Sequence, residues 1–278
     1  MHYNIYEPSH ELATIVRKYF VITDVNVIES MLFLPNGGNF LIFNRGIKGF
    51  TKLHTGEAHD ILQGYSIGMK ASKAKRITLD KNNNFNNMPL PIILVELLPI
   101  GYYKLFHKDA SILTKGHISI ENDIIDVYFS KLYTHDTLEE EIEYLNRSLK
   151  EMDIANNNIH LLVEGIVDSI INKHHFEVTV EELMLEFNYT RKTMERQFKK
   201  TIGLTPKNFI YVAKFCKTFL KYVEEAKKLK DIEYLYSDNA HFNVVFQNIT
   251  GFSPSELFND VVNHNDIQIY QMKQTRSK

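Results

Sequence analysis

Between Thr190 and Lys200 the chain reads TRKTMERQFKK, and the residue types and their spacing suit one chemistry. Met194 and Phe198 stand four apart, as the inward stripe of a helix does. Arg191, Lys192, Thr193, Glu195, Arg196, Lys199 and Lys200 then fall outward or along the flanks. Five positive groups on about three helical turns can neutralise phosphates, and Arg and Lys near the start of such a helix can reach base edges. A merely solvated basic face has the same composition, so the neighbouring segments carry weight. Thr179 followed three residues later by Glu182 spells a capping box for a short helix holding Leu183 and Phe187. Asn188-Tyr189-Thr190 reads as a turn, with Thr190 capping the helix from Arg191 to Thr201. Gly203 stops that helix, and Thr205-Pro206 opens another with proline at its first position. Helix, short turn, helix is the arrangement that lays a second helix in the DNA major groove.

Other chemistry finds less support. Of the twelve histidines, His54 and His59 are five apart and His174 and His175 are adjacent. Neither pair has zinc-site spacing, so no metal is expected. His174 and His175 fit the C-terminal end of a helix dipole. Cys216, the single cysteine, cannot pair within the chain and reads as a small core residue of a helix. Glu96 interrupts an apolar strand, where it either orients a ligand or lies on a solvated edge; the edge is the expectation. A Gly-rich phosphate loop and a Ser/His/Asp constellation are both missing from the sequence, so neither an enzyme nor a bound cofactor is expected.

The 278 residues suit two domains, and an apolar fraction of 44% can build a sizeable core. The most apolar stretch, Met88 to Tyr103, holds Glu96 and three prolines and is too short to cross a bilayer. The N-terminal residues have no secretory pattern, so a cytoplasmic protein without a membrane partner is expected, nucleoid-associated when on DNA. Up to about residue 110, short β-branched and aromatic runs predict strands at Tyr19 to Val25, Met31 to Leu34, Phe40 to Asn44, Ile61 to Ile67 and Ile92 to Leu98. Turn signals break them at Pro35-Asn36-Gly37-Gly38, Asn44-Arg45-Gly46 and Asn82 to Asn87. Later, Leu138, Ile142, Leu145 and Leu149 form one helical stripe, which packs on its own domain or dimerises. The expected class is α+β: a mixed, mainly β domain, barrel- or sandwich-like, then an all-α domain with two helix-turn-helix subdomains. The expected division is 1–118 for a β-rich sensor or regulatory domain, 119–155 for a helical linker or dimerisation segment, 156–262 for the DNA-binding domain and 263–278 for a tail.

The stretch VEELMLEFNYTRKTMERQFKKTIGLTPKNFIYVAKFCKTFLKYV resembles the first helix-turn-helix of the AraC family of transcriptional regulators. A second unit, YSDNAHFNVVFQNITGFSPSELF, is similar to that family's C-terminal signature. Phe198, Gly203 and Pro206 recur as Phe246, Gly251 and Pro254, with the same spacings. Two N-terminal phrases, FLPNGGNFLIFNRG and ILVELLPIGYYKLFHKDASILT, resemble the sensor-type domain found ahead of such units. The resemblance implies two reading heads joined by a long helix starting at Pro206. It implies base-facing residues Lys192, Glu195 and Arg196 in the first head and Asn239, Ala240 and Asn243 in the second. Lys199, Lys200 and Lys207 would meet phosphates. Double-stranded DNA is the implied partner, with a small-molecule effector, a second copy of the chain and RNA polymerase as further candidates.

The formal charge of -2 conceals two opposed blocks. Residues 187–230 hold twelve Lys or Arg against Glu195, Glu224 and Glu225, whereas 231–272 hold no Lys or Arg and six acidic residues. Val244 occupies a position where the family has a basic residue, Gln247-Asn248 replace a basic pair, and the lead-in DIEYLYSD is short. The second unit then has three readings: neutral hydrogen bonds to DNA from Asn239 and Asn243, a packing surface, or lost DNA contact. The expected function is a sequence-specific DNA-binding transcriptional regulator, modulated by a ligand or by dimerisation through the N-terminal domain. The alternative is a family-derived interaction or ligand-binding protein with weakened DNA binding.

Overall fold

A computed structural model describes residues 3–23, 30–33, 35, 37–44, 49–53, 58–61, 64–68, 75–79, 91–115, 118–155, 162–175, 177–224, 239–250, 252–256 and 267–268. Eight strands come first: β1 (Tyr3–Tyr6), β2 (Val16–Ile22), β3 (Ser30–Phe33), β4 (Asn39–Asn44), β5 (Gly49–Leu53), β6 (Ala58–Ile61), β7 (Gly64–Gly68) and β8 (Lys75–Leu79). Next are β9 (Ile92–Leu97), α1 (Gly101–Phe106), a 3-10 segment Ala110–Lys115, β10 (Ile118–Ser119), α2 (Asn122–Ile124) with a π turn, and α3 (Leu138–Ala155). The rest is helical: α4 (Leu162–Asp168) with a π turn Ser169–Lys173, α5 (Val180–Phe187), α6 (Arg191–Thr201), α7 (Pro206–Glu224) and α8 (Asn239–Thr250). A two-residue strand, β11 (Ile267–Gln268), closes the described chain. The architecture is therefore α+β, an antiparallel N-terminal region followed by helices. No helix among the described residues is long and apolar enough to cross a membrane.

The strands form two sheets, ordered β1-β2-β9-β4-β7-β10 and β11-β3-β8-β5-β6. Every pairing is antiparallel except β11 beside β3, where Ile267 and Gln268 of the C-terminal tail run parallel to Leu32 and Phe33. The expected run Ile61 to Ile67 is two strands in different sheets, β6 and β7, and β1, β5 and β8 were not anticipated. The Asn82–Asn87 turn signal and the DIEYLYSD segment lie outside the described residues.

Strands β4 and β9 are buried along their whole length, the mark of a sheet covered on both faces. Alternate residues Tyr19, Val21, Leu41, Phe43, Ile93 and Val95 join one core with α1 and α3. The stripe of α3 enters this core through Ile142, Leu145 and Leu149, and Leu138 packs beside it. Polar ties fix the helix on the sheet. Asn146 Oδ1 accepts from the Tyr19 hydroxyl at 2.8 Å and from the Ser9 N–H at 3.0 Å. Buried Glu141 accepts the Tyr133 and His135 N–H groups, both at 2.9 Å.

Glu96 does not lie on a solvated edge. Its strand sits between β2 and β4, and its side chain is 0% exposed. A carboxylate in that position needs a cation, and a local irregularity supplies one. The β2–β9 register shifts between Val16 and Lys18, so Arg17 is the extra residue of a bulge, the device that re-aims a side chain. Its Nη1 lies 3.3 Å from Glu96 Oε1. Removing one partner of a buried ion pair costs about 3–5 kcal/mol, whereas replacing both by apolar groups is often neutral. Arg17→Met is thus expected to lower unfolding free energy in guanidinium titrations by that order. Arg17→Met with Glu96→Met is expected to recover most of the loss; an additive double variant would show that the pair is not coupled.

Candidate nucleic-acid interface

Local chemistry builds the helix-turn-helix. Thr179 and Glu182 form a complete capping box: the Glu182 N–H donates to the Thr179 hydroxyl at 3.2 Å, and the Thr179 N–H donates to the Glu182 carboxylate at 2.7 Å. The Thr179 N–H and, at 2.9 Å, the Thr179 hydroxyl both donate to the Glu182 carboxylate and hold it below the usual carboxylate range. Helix α5 ends at Asn188, whose N–H donates to the Met184 carbonyl and whose left-handed φ of 51° lets the next N–H, that of Tyr189, reach the same carbonyl at 3.0 Å. Two residues later Thr190 caps α6, accepting from the Thr193 N–H at 3.3 Å. At the far end Gly203, with φ 72°, takes the left-handed conformation that stops α6, and its N–H donates to the Phe198 carbonyl at 2.9 Å.

The inward stripe of α6 is Met194, Phe198 and Thr201, all buried. Arg191, Lys192, Arg196, Lys199 and Lys200 are exposed, as is Lys207 in the first turn of α7, while Thr193 and Glu195 are half-buried. The residues expected at bases and phosphates in the first unit thus lie outside the buried stripe of α6, with Lys207 exposed on α7. Two of them are already engaged. Arg191 bonds the Glu181 carboxylate on α5, and the Lys200 ammonium lies 5.5 Å from the centre of the Tyr103 ring. The Thr193 hydroxyl is taken up in the cap with Thr190.

The second unit repeats the frame with a different surface. Phe242, Val245, Phe246 and Ile249 are buried in α8, and Phe246 meets Phe215 of α7 edge-on at 5.3 Å. Asn239 and Ala240 form the start of α8. Asn243, Val244, Gln247 and Asn248 are exposed, Val244 by 56%, so the described outward face of α8 is uncharged. The likeness of the two units extends to a detail the sequence reading missed. Thr205 before Pro206 accepts the Asn208 N–H, and Ser253 before Pro254 accepts the Glu256 N–H, both at 3.2 Å. A hydroxyl directly before each proline was the available signal.

The helix-turn-helix does not stand apart from the N-terminal region. Ile100 and Tyr103, from the start of α1, are buried in one apolar cluster with Ile166, Met194, Phe198 and Phe209. Helix α6 also lies against the 3-10 segment Ala110–Lys115. Lys104 of α1 pairs with Glu164 of α4 at 2.7 Å. Burying a large apolar side chain is worth about 1.5–3 kcal/mol, against roughly 0–1 kcal/mol for a solvated ion pair. Packing of Ile100 and Tyr103 therefore dominates this seam.

On the other side of α5, Glu186 gathers three donors: the Ser169 hydroxyl at 2.8 Å, Lys173 Nζ at 2.9 Å and His174 Nε2 at 2.8 Å. His174 therefore serves this carboxylate from the residue that ends the π turn, and His175 has a left-handed φ of 50°.

No family model matches the chain, and no curated protein matches it. Among solved structures, ToxT from Vibrio cholerae at 1.65 Å superposes with a TM-score of 0.47 at 11% identity, over 93% of this chain and 98% of that one. ToxT bound to (E)-4-(8-methylnaphthalen-1-yl)but-3-enoic acid gives 0.46 at 11%, over 93% and 99%. Unsaturated-fatty-acid-bound ToxT gives 0.44 at 12%, over 83% and 90%. These TM-scores lie below 0.5, and the functional reading rests on the residues of this chain.

The three donors, led by His174, push the Glu186 carboxyl down to about 2. A carboxyl depressed in the folded state stabilises fully above the usual carboxylate range, and that stabilisation is lost as pH falls through the folded value. Thermal unfolding followed from about pH 6 to about pH 2 is expected to show this loss, and Glu186→Gln should reduce the slope over that interval. An unchanged slope in the variant would assign the acid sensitivity to other carboxylates.

Proposed function

We propose that the chain is a sequence-specific DNA-binding transcriptional regulator, with α6 as its principal reading helix and no catalytic role. The observation that supports this best is the capped α5–turn–α6 unit, with Met194 and Phe198 locked inside and Lys192, Arg196 and Lys199 turned to solvent. In this reading Lys192, Glu195 and Arg196 meet base edges, and Lys199 and Lys207 meet phosphates. The N-terminal unit regulates the head, through a ligand or through dimerisation, because its helix α1 packs into the head's own core.

A second reading keeps the fold as an interaction or ligand-binding module. The uncharged outward face of α8 favours it, since that surface offers no anchor for phosphates. Selection of bound fragments from random duplexes, followed by a salt titration, separates the two. About four or five phosphate contacts give a slope of log K against log salt of roughly -4, and an interaction module gives none. On the selected duplex, Lys192→Ala and Arg196→Ala are each expected to cost about 1–3 kcal/mol and to relax sequence preference. Lys199→Ala is expected to weaken all sequences alike and to reduce the slope by about 1. Unchanged affinity in the Lys192→Ala, Arg196→Ala double variant would overturn the assignment of α6 as reading helix.

A further inference from the structure

Three of the contacts that join the N-terminal unit to the α6–α7 pair are of the kind found inside domains. Tyr103 enters the core of the helix-turn-helix and carries Lys200 over its ring. Gly37, in the turn before β4, holds a φ of 77° and presses so closely on α7 that a Cβ there would lie 2.7 Å from the Phe209 ring. Further along α7, the Cys216 thiol donates to the Pro35 carbonyl and is 2% exposed. These positions follow one another along the two helices, so a single seam runs from the end of α6 well into α7.

We infer that the N-terminal unit and the first helix-turn-helix are one body, that Tyr103 is a positioning residue holding Lys200 in this seam rather than on phosphate, and that the seam stays shut when duplex DNA is bound. The last part and the contrast with phosphate rest on the function proposed above; the shared body and the Tyr103–Lys200 contact do not. A sensor unit that detached to release the reading helix would expose Ile100, Tyr103 and Phe209 together, surface that is buried here as in a domain core. Regulation would then pass through small shifts of α1 against α6, because packed seams move between discrete arrangements rather than deform freely.

Cys216 reports the seam directly, because it is the only thiol in the chain and the β3–β4 turn covers it. Burial pushes that thiol up to about 12, so reaction with N-ethylmaleimide requires the seam to open. In the intact free chain, labelling is expected to be slow and to accelerate only with global unfolding in guanidinium. Lys200→Ala and Tyr103→Leu are each expected to raise the native labelling rate by about tenfold, while Lys199→Ala and Tyr103→Phe leave it near wild type. Fast labelling of the free native chain, or equal effects of Lys199→Ala and Lys200→Ala, would overturn the shared body and the placement of Lys200. Saturation with a selected duplex is expected to leave the rate within about threefold, and acceleration beyond about tenfold would show that DNA opens the seam. If no duplex is selected while the thiol stays sealed, the DNA reading and the closed seam on DNA both fall, and the shared body stands on the free-chain result.

Discussion

Phe198 has no surface in contact with solvent, and its core draws on both halves of the chain. It lies on the inward stripe of α6 and meets Phe209 of α7 at 6.1 Å. Its backbone carbonyl receives the two N–H groups that end the helix. The orientation of the basic face follows from this one anchor: with Met194 and Phe198 held inside, the helical period leaves Lys192, Arg196 and Lys199 nowhere but outside. Because Ile100 and Tyr103 belong to the same core, the basic face is oriented by the N-terminal unit as much as by its own subdomain.

Charge divides the two repeated units, although their frames agree. Both have a buried phenylalanine, a hydroxyl cap and a proline opening the next helix at matching positions. The frame is a packing requirement, so it can persist whatever the outward residues are. The outward residues answer to the partner instead. Five cations on α6 against an uncharged described face on α8 mean that any polyanion affinity is concentrated in the first unit. Hydrogen bonds from α8 could add selectivity, but they would act on a duplex already held elsewhere.

The features legible in the sequence are those decided within a few residues. The Thr179–Glu182 box, the Thr190 cap, the Gly203 stop and the Pro206 start all depend on partners three to five positions away, and all occur as read. Strands β2, β4 and β9 were legible because burial on both faces leaves near-continuous apolar runs. Glu96 was misread because the difference between an edge and a central strand is set by which strands pair, and its cation comes from a bulge about eighty positions earlier. The apparent break in pattern near residue 110 conceals a similar effect. Helix α1 is amphipathic in two directions, with Tyr102 and Leu105 in the sheet's core and Tyr103 in the core of the helix-turn-helix. Composition cannot distinguish a helix that serves two cores from one that serves its own.

That double service restricts how much of α6 is left open to a partner. Helix α6 packs on α1 and on the 3-10 segment Ala110–Lys115, and its last cation lies over Tyr103. The start of α6, with Lys192 beyond the cap and Arg196 one turn on, has no carboxylate partner for either residue among the described ones. A recognition helix presents base-reading groups chiefly from its N-terminal turns, so on the proposed function the Lys200–Tyr103 contact occupies the end of α6 that base contact needs least. On the proposed function, the Lys200–Tyr103 contact and groove entry would use opposite ends of one helix, and the first need not be broken for the second to occur.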